Sequence, residues 1–135
     1  MSNRARYEVE FLATLLGVEG GGTFIFPVST DIRAIGNTTT PLGAGATYPS
    51  SSFACNNFSF ITGTCFADQS GTLFVDFSSD GGSNWDGVEQ TLYTKNTRQT
   101  FRVTTVAPLA RVRFTNTSLS AQTAFRLYFH GKLSE

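Results

Sequence analysis

Three oxygen-bearing side chains, Asp80, Asn84 and Asp86, crowd around the chain's single tryptophan, Trp85, in the stretch SSDGGSNWDG. Aspartate and asparagine oxygens are Ca²⁺ ligands. Their spacing here lacks the alternating ligands, mid-loop glycine and terminal glutamate of an EF-hand, and turn formation explains the same residues. No bound metal is expected. Trp85 has two readings. Its ring could fold back over the end of the domain with its indole N–H bonded to a loop carbonyl, or it could lie open as a stacking platform for a sugar ring, with Tyr93 or Tyr128 nearby. The capping role is the expected one. The only histidine, His130, has no Gly-x-Ser-x-Gly nucleophile elbow to serve. Cys55 and Cys65 with that one histidine give too few ligands for zinc, and GVEGGGTF lacks the Lys-Ser/Thr that follows a phosphate loop. The expectation is a protein that is not an enzyme and carries no cofactor.

Charge points the same way. The 135 residues carry 10 basic and 10 acidic side chains, so the formal net charge is zero. Neither nucleic acid nor a membrane surface is an expected partner, because both select a basic field. Eight of the ten basic residues are arginine, the cation enriched at protein interfaces, where lysine is depleted. Arg102, Arg111, Arg113 and Arg126 fall on outward positions of three late strands. If those strands are neighbours, they form a basic stripe. Such a stripe either pairs with Asp and Glu on its own sheet or meets a partner's carboxylates bidentately.

The elements that must position these residues are strands. Leu73, Val75 and Phe77 alternate with Asp76 and Ser78. Ala110, Val112 and Phe114 alternate with Arg111 and Arg113. Phe125, Leu127 and Phe129 alternate with Arg126, Tyr128 and His130, and Phe101 and Val103 flank Arg102. This period of two marks half-buried antiparallel strands. Six or more short strands separated by turn residues predict a β-sandwich. FSFITGTCFAD also reads as a strand, with its buried face undecided. Thirteen phenylalanines supply the rings to fill such a core. Cys55 and Cys65 are expected as buried free thiols.

The first part of the chain is different. Tyr7, Val9 and Phe11 alternate, VEGGG interrupts, and TFIFPVSTD resumes with Phe24 and Phe26. This stretch has too few facing apolar positions for a core of its own, so residues 1–37 are expected to form an extended arm that lies on residues 38–135 or on a neighbouring chain. Glu8 and Glu10 break the apolar run that a signal peptide would need, so export by that route is not expected.

Two resemblances add to this reading. FSSDGGSNWDG, followed by APLARVRFTNTS and TAFRLYFHG, resembles the tryptophan hairpin and last strands of galactose-binding-like jelly-roll domains, which include carbohydrate-binding modules. That likeness spans residues 58–131 and implies a jelly-roll with sugar as a ligand. ADQSGTLFVDFSSDGGSNWD followed by RVRFTNTSLSAQTAFRLY is similar to small β-sandwich proteins of tailed bacteriophage virions, over residues 38–129. The matching positions include Asp68, Gly71, Asn116, Gln122 and Thr123. It implies a virion component: capsid decoration (cement), head fibre or tail accessory.

The combined expectation is an all-β, antiparallel jelly-roll sandwich with an extended N-terminal arm. Its expected role is capsid decoration in a virion assembled in the host cytoplasm, as a homo-oligomer with a trimer favoured. Tyr7, Val9, Phe11, Phe24 and Phe26 would bury apolar area on a neighbour. The alternative is a carbohydrate-binding module on a fibre, a tail or a secreted protein.

Overall fold

The structure is a computed structural model that describes residues 32–133. Among the described residues nine strands follow one another: β1 (Ile32–Thr38), β2 (Thr47–Pro49), β3 (Phe53–Ala54), β4 (Phe60–Ala67), β5 (Gly71–Ser78), β6 (Gly87–Tyr93), β7 (Gln99–Thr104), β8 (Leu109–Asn116) and β9 (Phe125–Lys132). They form two antiparallel sheets. The first has the order β1-β9-β4-β7. The second has the order β2-β8-β5-β6, with β3 also paired to β8. The chain crosses between sheets after β1, β3, β4, β6, β7 and β8, the jelly-roll kind of winding. The all-β antiparallel sandwich is the fold that the alternation predicts.

The core lies between the sheets and uses the residues that alternation turned inward. Leu73, Val75 and Phe77 of β5, with Ala110, Val112 and Phe114 of the neighbouring strand β8, line the inner face of the second sheet; Phe125, Leu127 and Phe129 of β9 line that of the first, and all are buried. Burying each large side chain contributes about 1.5–3 kcal/mol. Phe114 packs on Phe125 at 5.0 Å between ring centroids and on Tyr93 at 5.7 Å. The face of β4 is now decided: Ile61, Gly63, Cys65 and Ala67 turn inward and Phe60 and Phe66 lie outward. Close approach explains the choice. A Cβ on Gly63 would stand 2.1 Å from the Tyr128 carbonyl oxygen and 2.5 Å from the Phe101 ring.

Both cysteines are free and buried. Cys55 Sγ donates to the Ala107 carbonyl at 3.0 Å. Burial pushes both thiols up, Cys65 to about 12, so neither is a reactive thiolate.

One boundary moves. β1 is hydrogen-bonded along β9, from Ile32 opposite Lys132 to Thr38 opposite Leu127. The sandwich therefore takes in Ile32–Thr38, and the division expected between residues 37 and 38 falls too late. A seven-residue edge strand without clean alternation carries little periodic signal. The arm residues Tyr7, Val9, Phe11, Phe24 and Phe26 lie outside the described residues.

Candidate functional site

The hairpin between β5 and β6 is closed by its own side chains. Gly81 and Gly82 adopt φ of 77° and 96°, which favours glycine. Asp80 Oδ1 accepts hydrogen bonds from Ser78 Oγ at 2.9 Å and from the Asn84 amide at 2.8 Å, and Oδ2 accepts from Asn84 Nδ2 at 2.7 Å. Ser78 Oγ in turn accepts from the Gly82 amide at 2.9 Å. The backbone and side-chain bonds from Asn84, then that from Ser78, hold the Asp80 carboxyl below its usual range. Asp80 thus spends both carboxylate oxygens on the turn, with Asn84 donating from its backbone and side-chain amides. Asp86 is exposed beside them. Among the described residues no three His, Cys, Asp or Glu side chains are grouped to hold a metal ion.

Trp85 does not cap the core. It is half-buried and lies under the guanidinium of Arg111, whose Cζ is 4.4 Å from its ring centroid. From there a chain of contacts runs across the outer face of the second sheet. Arg111 Nε donates to Asp76 Oδ2 at 2.8 Å. Arg113 donates from Nε to the same oxygen at 2.5 Å and from Nη2 to Oδ1 at 3.0 Å. Arg113 Cζ sits 4.2 Å over Phe74. Strand register builds this row, because Asp76 stands opposite Arg111 and Phe74 opposite Arg113. Asp76 points outward as alternation predicts, yet it is fully buried beneath the two arginines. Burial alone would raise its pKa, but the hydrogen bonds and charges of Arg113 and Arg111 outweigh burial and hold the carboxyl below its usual range.

The other two arginines lie on the opposite side of the molecule. Arg126 Cζ is 4.5 Å over Phe66 and Arg102 Cζ is 4.7 Å over Phe60, both on the outer face of the first sheet. The single basic stripe expected from Arg102, Arg111, Arg113 and Arg126 is therefore two pairs on two faces. β8 belongs to the second sheet, whereas β7 and β9 belong to the first.

An aromatic platform around Trp85 is not assembled either. Tyr93 is buried. Its hydroxyl accepts from the amides of Ala67 at 2.8 Å and Thr97 at 3.2 Å, and the carbonyls of Ala67 and Thr97 lie at 3.1 and 2.5 Å. Tyr128 is exposed on the first sheet, across the sandwich from Trp85. His130 is half-buried on β9 opposite Thr62.

Several residues that carried the resemblances turn out to hold loops. Asp68 accepts from the Thr123 amide and hydroxyl, fastening the β8–β9 connection to the β4–β5 turn. Asn116 Nδ2 donates to the carbonyls of Gly43 at 3.0 Å and Ser120 at 2.9 Å, and its Oδ1 accepts from the Ser118 amide and hydroxyl. Gln122 Oε1 accepts from the Leu42 amide at 2.8 Å. Asp76, Phe60 and Phe66 were not singled out from the sequence as site residues. The signal for Asp76 is present: one carboxylate inside the apolar strand GTLFVDFS, with the RVR of β8 as its complement.

Fold and faces together define a small antiparallel β-sandwich module with stacked arginines on both sides. The family model described as the uncharacterised protein YqxG N-terminal domain matches residues 28–132, and the chain belongs to that family. No curated protein matches the chain. Among solved structures it is similar to the one described as the crystal structure of PBSX exported protein XepA. That likeness has a TM-score of 0.68 and 23% identity over 84% of this chain. The match covers 41% of XepA, so the chain spans less than half of that protein's length. Looser likenesses are to a structure described as Bacillus endospore appendages forming a family of disulfide-linked pili, and to one described as CBM4 structure and function. The first has a TM-score of 0.45 and 15% identity over 84% of this chain and 100% of that one. The second has a TM-score of 0.42 and 14% identity over 77% and 79%. The XepA likeness bears on the fold.

Proposed function

We propose that the chain is a structural protein of a bacteriophage virion that works by protein contact rather than catalysis, and specifically a capsid decoration protein binding the outside of the head lattice. The observation that carries this reading is the pair of outer faces. Each presents guanidinium groups held over aromatic rings, Arg111 over Trp85 and Arg113 over Phe74 on one side, Arg126 over Phe66 and Arg102 over Phe60 on the other. Arginine and aromatic side chains are the residues that interfaces enrich, and stacking orients them before a partner arrives, which lowers the ordering cost of binding. The virion-protein likeness of residues 38–129 supports the same assignment, as does the fold shared with an exported protein of PBSX. In this reading the chain acts as a homo-oligomer, a trimer favoured. Tyr7, Val9, Phe11, Phe24 and Phe26 supply apolar contacts to a neighbouring subunit, and the protein resides in the virion.

The test is co-sedimentation of the full chain with capsids of its own phage. Saturable binding at a fixed ratio to the major shell protein is expected. Failure of the chain to pellet with capsids at any concentration would contradict the assignment.

A further inference from the structure

The outer face of the first sheet carries a shallow groove of about 250 Å³. Thr64 and Phe66 of the central strand β4 lie along it, with Arg126 and Tyr128 of β9 on one side and Arg98 and Thr100 at the start of β7 on the other. Strand register arranges these six residues in two rows. Tyr128 stands opposite Thr64, and Thr64 opposite Thr100, so three hydroxyl-bearing side chains cross three strands. Arg126 stands opposite Phe66, and Arg98 follows on the far side of Phe66, one position beyond the Cys65–Gln99 pair. Arg126 and Arg98 therefore lie on either side of Phe66 in this row, with the Arg126 guanidinium over its ring. The rows are two residues apart along each strand, about 6.8 Å.

Among the described residues the charge of the groove has one sign: no Asp or Glu lines it, and neither Arg98 nor Arg126 is ion-paired. This contrasts with the second sheet, where Asp76 engages both arginines. Arg126 is held over Phe66, so its donors are oriented in advance. Tyr128 is 38% exposed.

We propose that this groove binds a carboxylate-bearing sugar ring of the hexuronic acid class, as one residue of an acidic polysaccharide. Such a ring carries a planar carboxylate on one edge and hydroxyls on the opposite edge, a separation that the two rows match. Arginine forks recognise a carboxylate bidentately. The threonine and tyrosine hydroxyls both donate and accept, as sugar hydroxyls require, and the Tyr128 ring offers apolar surface to the sugar C–H groups. The volume is slightly below the usual range for ligand pockets, which suits a single ring better than an extended acidic peptide. The site lies across the sandwich from Trp85 and shares the Arg126–Phe66 pair with the face offered above to a protein partner; co-sedimentation with capsids tests that reading separately.

Isothermal titration calorimetry on the full chain tests it, with trigalacturonate, neutral galactotriose and pentaglutamate in parallel. Trigalacturonate is expected to saturate with a Kd on the order of 0.1–1 mM and to weaken as salt is raised. Galactotriose is expected to give no saturation. Arg98→Gln and Arg126→Gln are each expected to weaken trigalacturonate binding about tenfold or more, with the Tm unchanged because both side chains are exposed. No saturation by trigalacturonate, an equal response to the neutral sugar, or undiminished binding when Arg98→Gln and Arg126→Gln are combined would each overturn the site. Tighter binding of pentaglutamate would replace the sugar acid with an acidic protein segment and would also overturn it.

Discussion

Asp76 shows what a single residue does here. Its carboxylate is fully buried, and the two arginines that hold it remain 33% and 27% exposed. Breaking a fully buried ion pair costs about 3–5 kcal/mol; with both arginines partly in water, Asp76→Ala is expected to cost about 2–3 kcal/mol, read by denaturant unfolding. Asp76, Asp68 and Asp80 all have folded pKa values held below the unfolded carboxylate value. Their stabilising effect is therefore fully present above about pH 4 and is lost as pH falls through the folded values. An acid melting series should show a declining Tm below about pH 4, with a shallower decline for Asp76→Asn. Trp85→Ala removes a partly exposed cation–π contact and is expected to cost only about 0.5–1 kcal/mol. A loss several times larger would restore the core-capping role. Alternation showed which way these side chains point. It could not show that an outward Asp76 is roofed over, because that depends on a neighbouring strand distant in sequence.

At the level of elements, the long strands were legible because one face is buried and the other wet. β5, β8 and β9 lie where the period-two pattern puts them, with the expected residues inward. The short edge strands β2 and β3 were not legible. Three and two residues are too few to show a period, and both are held by the long strand β8 rather than by their own pattern. Glycine marks close approach within β5. A Cβ at Gly71 would lie 2.3 Å from the Thr115 carbonyl oxygen and 2.6 Å from the Phe114 ring. Gly71→Ala should therefore destabilise by about 1–3 kcal/mol, the usual cost of overpacking, measured as a shift in the unfolding midpoint with unchanged slope. Tyr93 ties the end of β6 to β4 and to the following turn through one hydroxyl. Tyr93→Phe leaves those buried backbone groups short of a partner and is expected to cost about 1–3 kcal/mol.

Across the whole molecule, the sequence could not reveal how strands are shared between sheets. Arg111 and Arg126 occupy equivalent outward positions on adjacent strands in sequence, yet they face opposite directions because the chain crosses the sandwich between β8 and β9. Crossing order is set by packing and leaves no periodic trace. It gives the protein two separate faces, one with its arginines neutralised in part by Asp76 and one with Arg98 and Arg126 unpaired among the described residues. A chain starting at residue 28, where the family match begins, retains β1 and should fold as a sandwich. Light scattering is expected to find it monomeric and the full chain oligomeric. Equal masses for the two would remove the apolar arm from the assembly.

The central claim is that the chain belongs to a particle. It is tested most directly by gold-labelled antibody against the chain, applied to gradient-purified phage particles and viewed by electron microscopy. Regular labelling of the head surface is the predicted result. Bare particles, with the chain recovered wholly in the soluble fraction of the lysate, would contradict a virion role.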